Sequence, residues 1–212
     1  VADIQCFSED NFQQLCNALA HKDAHLKKII RQHSYPPMWS RPASFETLIH
    51  IILEQQVSLA SAKAALEKLR EKIKKITPEN VLALTDEELR ACYFSRQKTG
   101  YARHLAQAIL SKQLNLKKLS AAPDEEIRAA LKQIKGIGDW TVDVYLLFAL
   151  QRTDVFPTGD LAMVNALKEV KQLPKQAAKE ELLALAEAWR PHRSIATMLL
   201  WHYYIKTKNI KL

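Results

Sequence analysis

Apolar positions recur at helical spacing along almost the whole of this 212-residue chain. Phe12, Leu15, Cys16 and Leu19 make one stripe, Leu26, Ile29 and Ile30 a second, and Phe45, Leu48, Ile49, Ile52 and Leu53 a third. Pro and Gly fall between these stripes, and no convincing period-two run of β-branched residues appears, so the pattern predicts an all-α chain. Start signals stand where the stripes begin. Ser8, Ser44 and Ser58 are placed to cap helices, the last running to about Lys75. Thr77-Pro78 pairs a cap with an N1 proline, and Thr85-Asp86-Glu87-Glu88 is a capping box. Ser95 leads into a helix with Leu105 and Ile109, and Pro123 opens one with Ile127, Leu131 and Ile134. Later helices are expected from Asp139, Asp160, Pro174 and Ser194, the last reaching about Ile205. The linker from Ser34 to Pro42 cannot be helical, because Pro36, Pro37 and Pro42 each restrict the residue before them. Its aromatic side chains either wedge against the core or line a pocket.

One junction differs from the rest. Gly136-Ile137-Gly138 holds half of the chain's 4 glycines and forms a tight turn between two helical patterns. Such a turn can bring backbone N–H groups close to a ligand with no Cβ in the way. The helix opening at Asp139 adds its unsatisfied N–H groups and the positive end of its dipole. Together these make an anion site. After the second helix, Phe156-Pro157-Thr158-Gly159-Asp160 breaks the pattern and delivers one carboxylate to the start of the next helix. On spacing alone that carboxylate is a helix cap.

Composition narrows the setting. Hydrophobic residues are 48% and charged residues 25% of the chain, ordinary values for a globular protein that can bury a core. The net charge of +8 suits a polyanion such as nucleic acid. The longest apolar run, around Leu48 to Leu53, is too short to span a bilayer. No secretory leader opens the chain, which makes an intracellular protein with no membrane partner the expectation. Cys6, Cys16 and Cys92 are scattered and lack metal-ligand spacing, which argues against disulfides and thiolate metal sites.

KGIGDWTVDVYLL followed by VFPTGDLAM resembles the helix-hairpin-helix (HhH-GPD) DNA glycosylases, and within them the 3-methyladenine DNA glycosylase II group. IILEQQVSLASAKAALEKL at 51–69 and WRPHRSIATMLLW at 189–201 agree. Four ordered motifs over roughly residues 35 to 205 make this specific, where a lone hairpin would not be. The resemblance implies two helical lobes with a substrate cleft between them. One lobe would be built from 1–44 with 155–212, the other a six-helix body over 45–154 ending in the hairpin. It leaves no room for the N-terminal β-domain of some relatives, nor, with no cysteine after Cys92, for a four-cysteine iron–sulfur loop.

The resemblance also assigns roles. Asp160 occupies the catalytic position, where a carboxylate stabilises the oxocarbenium-like sugar of a departing base or activates water. Asp139 and Asp143 are rival carboxylates, the first a helix-start acid, the second able to face either way. Trp140 stands where strand-nicking relatives carry a Schiff-base lysine, which implies a monofunctional enzyme. Its indole either stacks on a flipped, cationic alkylpurine or packs the hairpin. Tyr35, Trp39, Val144 and His192 are the other expected base-pocket residues. Val144 and His192 depart from family aromatics and leave the pocket's shape open. His192 could be a wall, a donor to the base or a surface imidazole. Arg193 could meet Asp160, a phosphate or a structural partner. DNA contacts are expected from Lys135, Gly136, Ile137 and Gly138 of the hairpin and from Gln55, Gln56 and Val57, with Gln56 or Val57 filling the gap left by the flipped nucleotide. No cofactor is required. The family's hairpin often holds a monovalent cation (Na+ or K+), here through main-chain carbonyls of Gln133, Ile134 and Ile137. The reading is a monomeric glycosylase excising alkylated purines from double-stranded DNA and leaving an abasic site. The alternatives are a glycosylase for neutral lesions, such as etheno-adducts or hypoxanthine, and a non-catalytic DNA damage sensor.

Overall fold

A computed structural model describes residues 5–210, which form thirteen α-helices and one isolated antiparallel bridge, Cys6 with Arg152. The chain is all-α. The described residues divide into two compact units, one of 5–40 with 146–210 and the other Arg41–Tyr145.

The first unit opens with α1 (Glu9–Lys22) and α2 (Ala24–His33). The second carries α3 (Phe45–Glu54), α4 (Leu59–Ile73), α5 (Pro78–Ala83), α6 (Asp86–Ala91), α7 (Arg96–Leu110), α8 (Leu116–Leu119), α9 (Asp124–Lys132) and most of α10 (Asp139–Phe148). The chain then returns to the first unit for α11 (Leu161–Lys171), α12 (Lys179–Glu187) and α13 (Arg193–Thr207). No helix among the described residues is long and apolar enough to cross a membrane.

In the first unit α13 is the axis, packing against α1, α2 and α11. Every residue from Ser194 to His202 is buried. A helix surrounded on all sides has no polar face, and IATMLLW carries none. Its core neighbours include Phe12, Leu19, Leu26, Met163 and Trp189. A buried carboxylate pins this unit. Asp23 caps α2 through the His25 and Leu26 N–H groups and accepts bonds from Trp189 Nε1 (2.8 Å) and Lys171 Nζ (2.6 Å). Desolvation would raise its pKa, but those donors and the Lys171 charge outweigh it and hold the carboxyl below its ordinary range.

In the second unit α3 is the buried helix, packed on α4 and α7. Serine and threonine caps at Ser44, Ser58, Thr77, Thr85 and Ser95 all form, as their sequence positions predict. The buried Glu54 is met by a two-pronged Arg41 guanidinium at 2.9 and 2.6 Å, the pairing a desolvated carboxylate requires.

Three expectations need correction. The domain boundaries lie at 40/41 and 145/146, not 44/45 and 154/155. Arg41 is drawn to α3 by Glu54, and Leu147 and Phe148 pack with the α13 core, so the second boundary falls inside α10. The second unit holds seven complete helices and the start of an eighth rather than six, because α8 is a single turn capped by Asn115. Pro174 opens only a turn, Ala177 N–H to Pro174 O. The helix begins at Lys179, where Glu180 and Glu181 suit its N-terminus.

Candidate active site and DNA-binding hairpin

The hairpin joins α9 to α10. Ile137 N–H bonds Ile134 O at 3.0 Å to close the turn, and Val142 N–H reaches back to Gly138 O at 3.1 Å. The two glycines do different work. Gly136 has φ +95°, which side chains of L-residues rarely adopt, and a Cβ there would land on the Tyr101 ring. At Gly138 a Cβ would meet nothing within 4 Å. Gly136 is therefore required by the fold, whereas exposed Gly138 leaves open backbone at the mouth of α10. Ile137 is 5% exposed and anchors the turn, while Lys135 is exposed beside it.

Gln55 braces this turn instead of projecting from it. Its Nε2 donates to Gly136 O and Thr141 Oγ1, both at 2.9 Å. Both amide hydrogens of Gln55 are thus directed at the hairpin. Gln56, at φ +56°, and Val57, 45% exposed, form the outward tip of the α3–α4 junction.

The rival carboxylates are absorbed by ion pairs between α9 and α10. Arg128 reaches Asp143 at 2.6 Å and Asp139 at 3.4 Å, and Lys132 reaches Asp139 at 2.8 Å. Asp143, which could have faced either way, faces α9. The Lys132 bond holds the Asp139 carboxyl below its usual range.

Asp160 stands at the head of α11, in the first unit. Thr158 N–H to Phe156 O and Asp160 N–H to Pro157 O, each 2.9 Å, fold the loop that delivers it. Its Oδ1 accepts Met163 N–H at 2.8 Å, an N-cap bond, and Trp201 Nε1–H at 2.9 Å. Asp160 is half-buried, and Leu161 beside it is 78% exposed. The cap role is real, yet a carboxylate has about four acceptor positions, so capping and a second task are compatible. Trp201, 8% exposed, is stacked on Phe148 with centroids 5.2 Å apart and planes 27° apart. Sequence reading did not single it out. A tryptophan in an apolar helix looks like core, and its spacing says nothing of where the indole N–H points.

The remaining expected pocket residues are distributed between the units. Trp140 and Val144 lie in the second. Trp140 is half-buried, while Val144, at 3% exposure, offers little surface to a base and is core packing. Tyr35, Trp39 and His192 lie in the first unit with Asp160. Tyr35 OH donates to Asn17 Oδ1 at 2.8 Å, Trp39 sits 6.4 Å from the His202 ring, and both side chains rest half-buried on the first unit's core. His202 in turn bonds His33 O at 2.9 Å. His192 is half-buried, and burial, with Lys22 adding to it, lowers its pKa. Arg193 forks onto the Asp154 carboxylate at 2.7 and 3.0 Å, which makes its partner Asp154 and not Asp160.

The donor set expected for a hairpin cation is made of neutral backbone oxygens, the kind that replace an alkali ion's hydration shell. Ile134 O already accepts one N–H, which leaves it a second lone pair. Oxygens of this kind suit an alkali cation chemically.

A family model described as HhH-GPD superfamily base excision DNA repair protein matches residues 49–191, from α3 through the hairpin and Asp160 to Pro191. The chain belongs to this superfamily. It is similar to the DNA-3-methyladenine glycosylase 1 of Schizosaccharomyces pombe, 32% identical over 190 residues that cover 86% of this chain and 83% of that one. A DNA-3-methyladenine glycosylase of Bacillus subtilis is 28% identical over 207 residues, 92% of this chain and 68% of its own. The solved structure of the Schizosaccharomyces pombe 3-methyladenine DNA glycosylase in complex with abasic DNA superposes with a TM-score of 0.82 at 30% identity. That match covers 93% of this chain and 97% of the other. The family match thus spans both the hairpin and the loop that carries Asp160.

Proposed function

We propose that this chain is a monofunctional DNA glycosylase of base excision repair that hydrolyses the N-glycosidic bond of alkylated purines, of the 3-methyladenine and 7-methylguanine type, in double-stranded DNA. The observation that carries this reading is Asp160, a carboxylate oriented by two donors at the head of a helix, in a chain of this family. Relatives named as 3-methyladenine glycosylases support the substrate class.

In the proposed reaction the base is flipped from the duplex and the bond from its nitrogen to C1′ lengthens. Positive charge gathers on the deoxyribose. Asp160 offsets that charge at a fixed distance and orients water for attack, and the product is an abasic site. Alkylation at N3 or N7 makes the base a cation and a better leaving group, so modest electrostatic help suffices. Trp140 offers an indole face to such a base, and having no amine it forms no Schiff base. Trp39, Tyr35 and His192 complete the proposed contacts to the nucleotide.

The hairpin from Lys135 to Gly138 receives a phosphate, while Gln56 or Val57 fills the vacated stacking space. Carbonyls of Gln133, Ile134 and Ile137 would hold a monovalent cation, which would supply positive charge at the hairpin. No other cofactor is needed, and the protein acts as a monomer on intracellular DNA. The test is release of 3-methyladenine or 7-methylguanine from methylated duplex, compared with single-lesion duplexes carrying ethenoadenine or hypoxanthine. Release of the alkylpurines is expected. Release of only the neutral lesions would overturn the substrate assignment, and release of none would leave a DNA damage sensor.

A further inference from the structure

Two donors of different kinds meet Oδ1 of the Asp160 carboxylate. Met163 N–H belongs to the same helix and sets how far the carboxylate lies from the α11 axis. Trp201 Nε1–H comes from α13, 41 residues away in sequence, and meets the same oxygen at 2.9 Å. Two bonds from different directions on Oδ1 restrict rotation of the carboxylate about its Cβ–Cγ bond. Trp201 cannot itself swing, because it is 8% exposed and its ring is stacked on Phe148, the last residue of α10. The indole N–H is a donor with no acceptor capacity, so its sense is fixed. Asp23 shows the same two kinds of donor, helix N–H groups and an indole N–H, on a purely structural carboxylate. There the residue is buried. Asp160 keeps the indole clamp at a half-buried position.

We infer that Trp201 is a positioning residue for the reaction: its indole N–H fixes the plane of the Asp160 carboxylate, and Phe148 fixes the indole. This rests on the reading of Asp160 as the group that faces the sugar. An electrostatic stabiliser is effective only if it is oriented before charge develops, and loss of one neutral donor that orients the carboxylate slows chemistry by about tenfold or more.

The experiment is single-turnover excision from methylated duplex by wild type, Trp201→Phe, Asp160→Asn and the double variant. Binding of each to abasic duplex is measured alongside. Phenylalanine keeps a ring to stack on Phe148 and removes the donor. A second variant, with benzothienylalanine placed at position 201 alone, keeps the bicyclic shape and lacks only the N–H. The expected result is an excision rate down about tenfold in both Trp201 variants, with abasic-DNA affinity within about twofold of wild type. Trp201→Phe should add nothing further in the Asp160→Asn background, as befits a residue acting through Asp160. An inactive Asp160→Asn beside a Trp201 series at the wild-type rate would overturn the positioning role and leave the Asp160 reading standing. A fully active Asp160→Asn would overturn that reading and this inference with it. Equal slowing by Trp201→Phe in both backgrounds, or slowing by Phe that benzothienylalanine does not share, would mean that only packing matters.

Discussion

At the scale of single residues the hairpin glycines separate by physical cause. Gly136 carries both a left-handed φ and a ring where its Cβ would go. Gly136→Ala is expected to lower stability by about 2 kcal/mol or more and to weaken DNA binding as the turn shifts. Gly138→Ala has open space and should change stability by less than about 1 kcal/mol. If the phosphate approaches there, it should still weaken binding. Thermal melting and titration with abasic duplex on the two variants separate fold from contact. The chain's spelling made both glycines look equal. Only the φ of one and the neighbouring Tyr101, 35 positions upstream by number, distinguish them. Asp160 was legible as a cap from its place before an apolar stripe, but its second donor was not, because an indole bond between α11 and α13 leaves no periodic trace.

Between elements, charge pairing decides which acids are available. Asp143 is 7% exposed and meets Arg128 at 2.6 Å, so Arg128→Ala would take a guanidinium away from a buried carboxylate. The variant should lose about 3 kcal/mol, whereas Lys132→Ala, on the exposed side with Asp139, should lose less than about 1 kcal/mol. Denaturant midpoints would show the contrast, and equal small losses would contradict the pairing. The helices themselves were readable from stripes and caps, since a Ser or Thr before an apolar run satisfies the first turn locally. What the stripes could not supply was the single turn of α8, too short for a period, and the start of α12, where Pro174 begins a turn that does not propagate.

Across the whole molecule the basic surplus and the buried histidines make separate predictions. If phosphates dominate binding, log K should fall linearly with log salt, and Lys135→Ala should flatten that slope by about one. An unchanged slope would remove Lys135 from the interface. Burial lowers the pKa of His50, His192 and His202 from 6.5, so the folded state holds them neutral where the unfolded chain would take up protons. Stability should therefore be complete above about pH 6.5 and decline as pH falls through that value toward the lowered folded pKa values. Melting temperature measured from pH 7.5 to 5.5 should drop, and His202→Gln, which keeps a donor for His33 O, should reduce the drop. The family and its two-unit plan could be read from four ordered motifs. The boundaries could not, because they depend on Arg41 finding Glu54 and on Phe148 finding Trp201.

The most direct trial of the account is the single-turnover rate of 3-methyladenine release from methylated duplex by Asp160→Asn beside wild type. Asparagine keeps the shape and can still accept the Met163 and Trp201 bonds while removing the charge. A fall of at least about 100-fold with abasic-DNA affinity retained is the predicted result. Release at the wild-type rate would contradict the assignment of the reaction to this carboxylate.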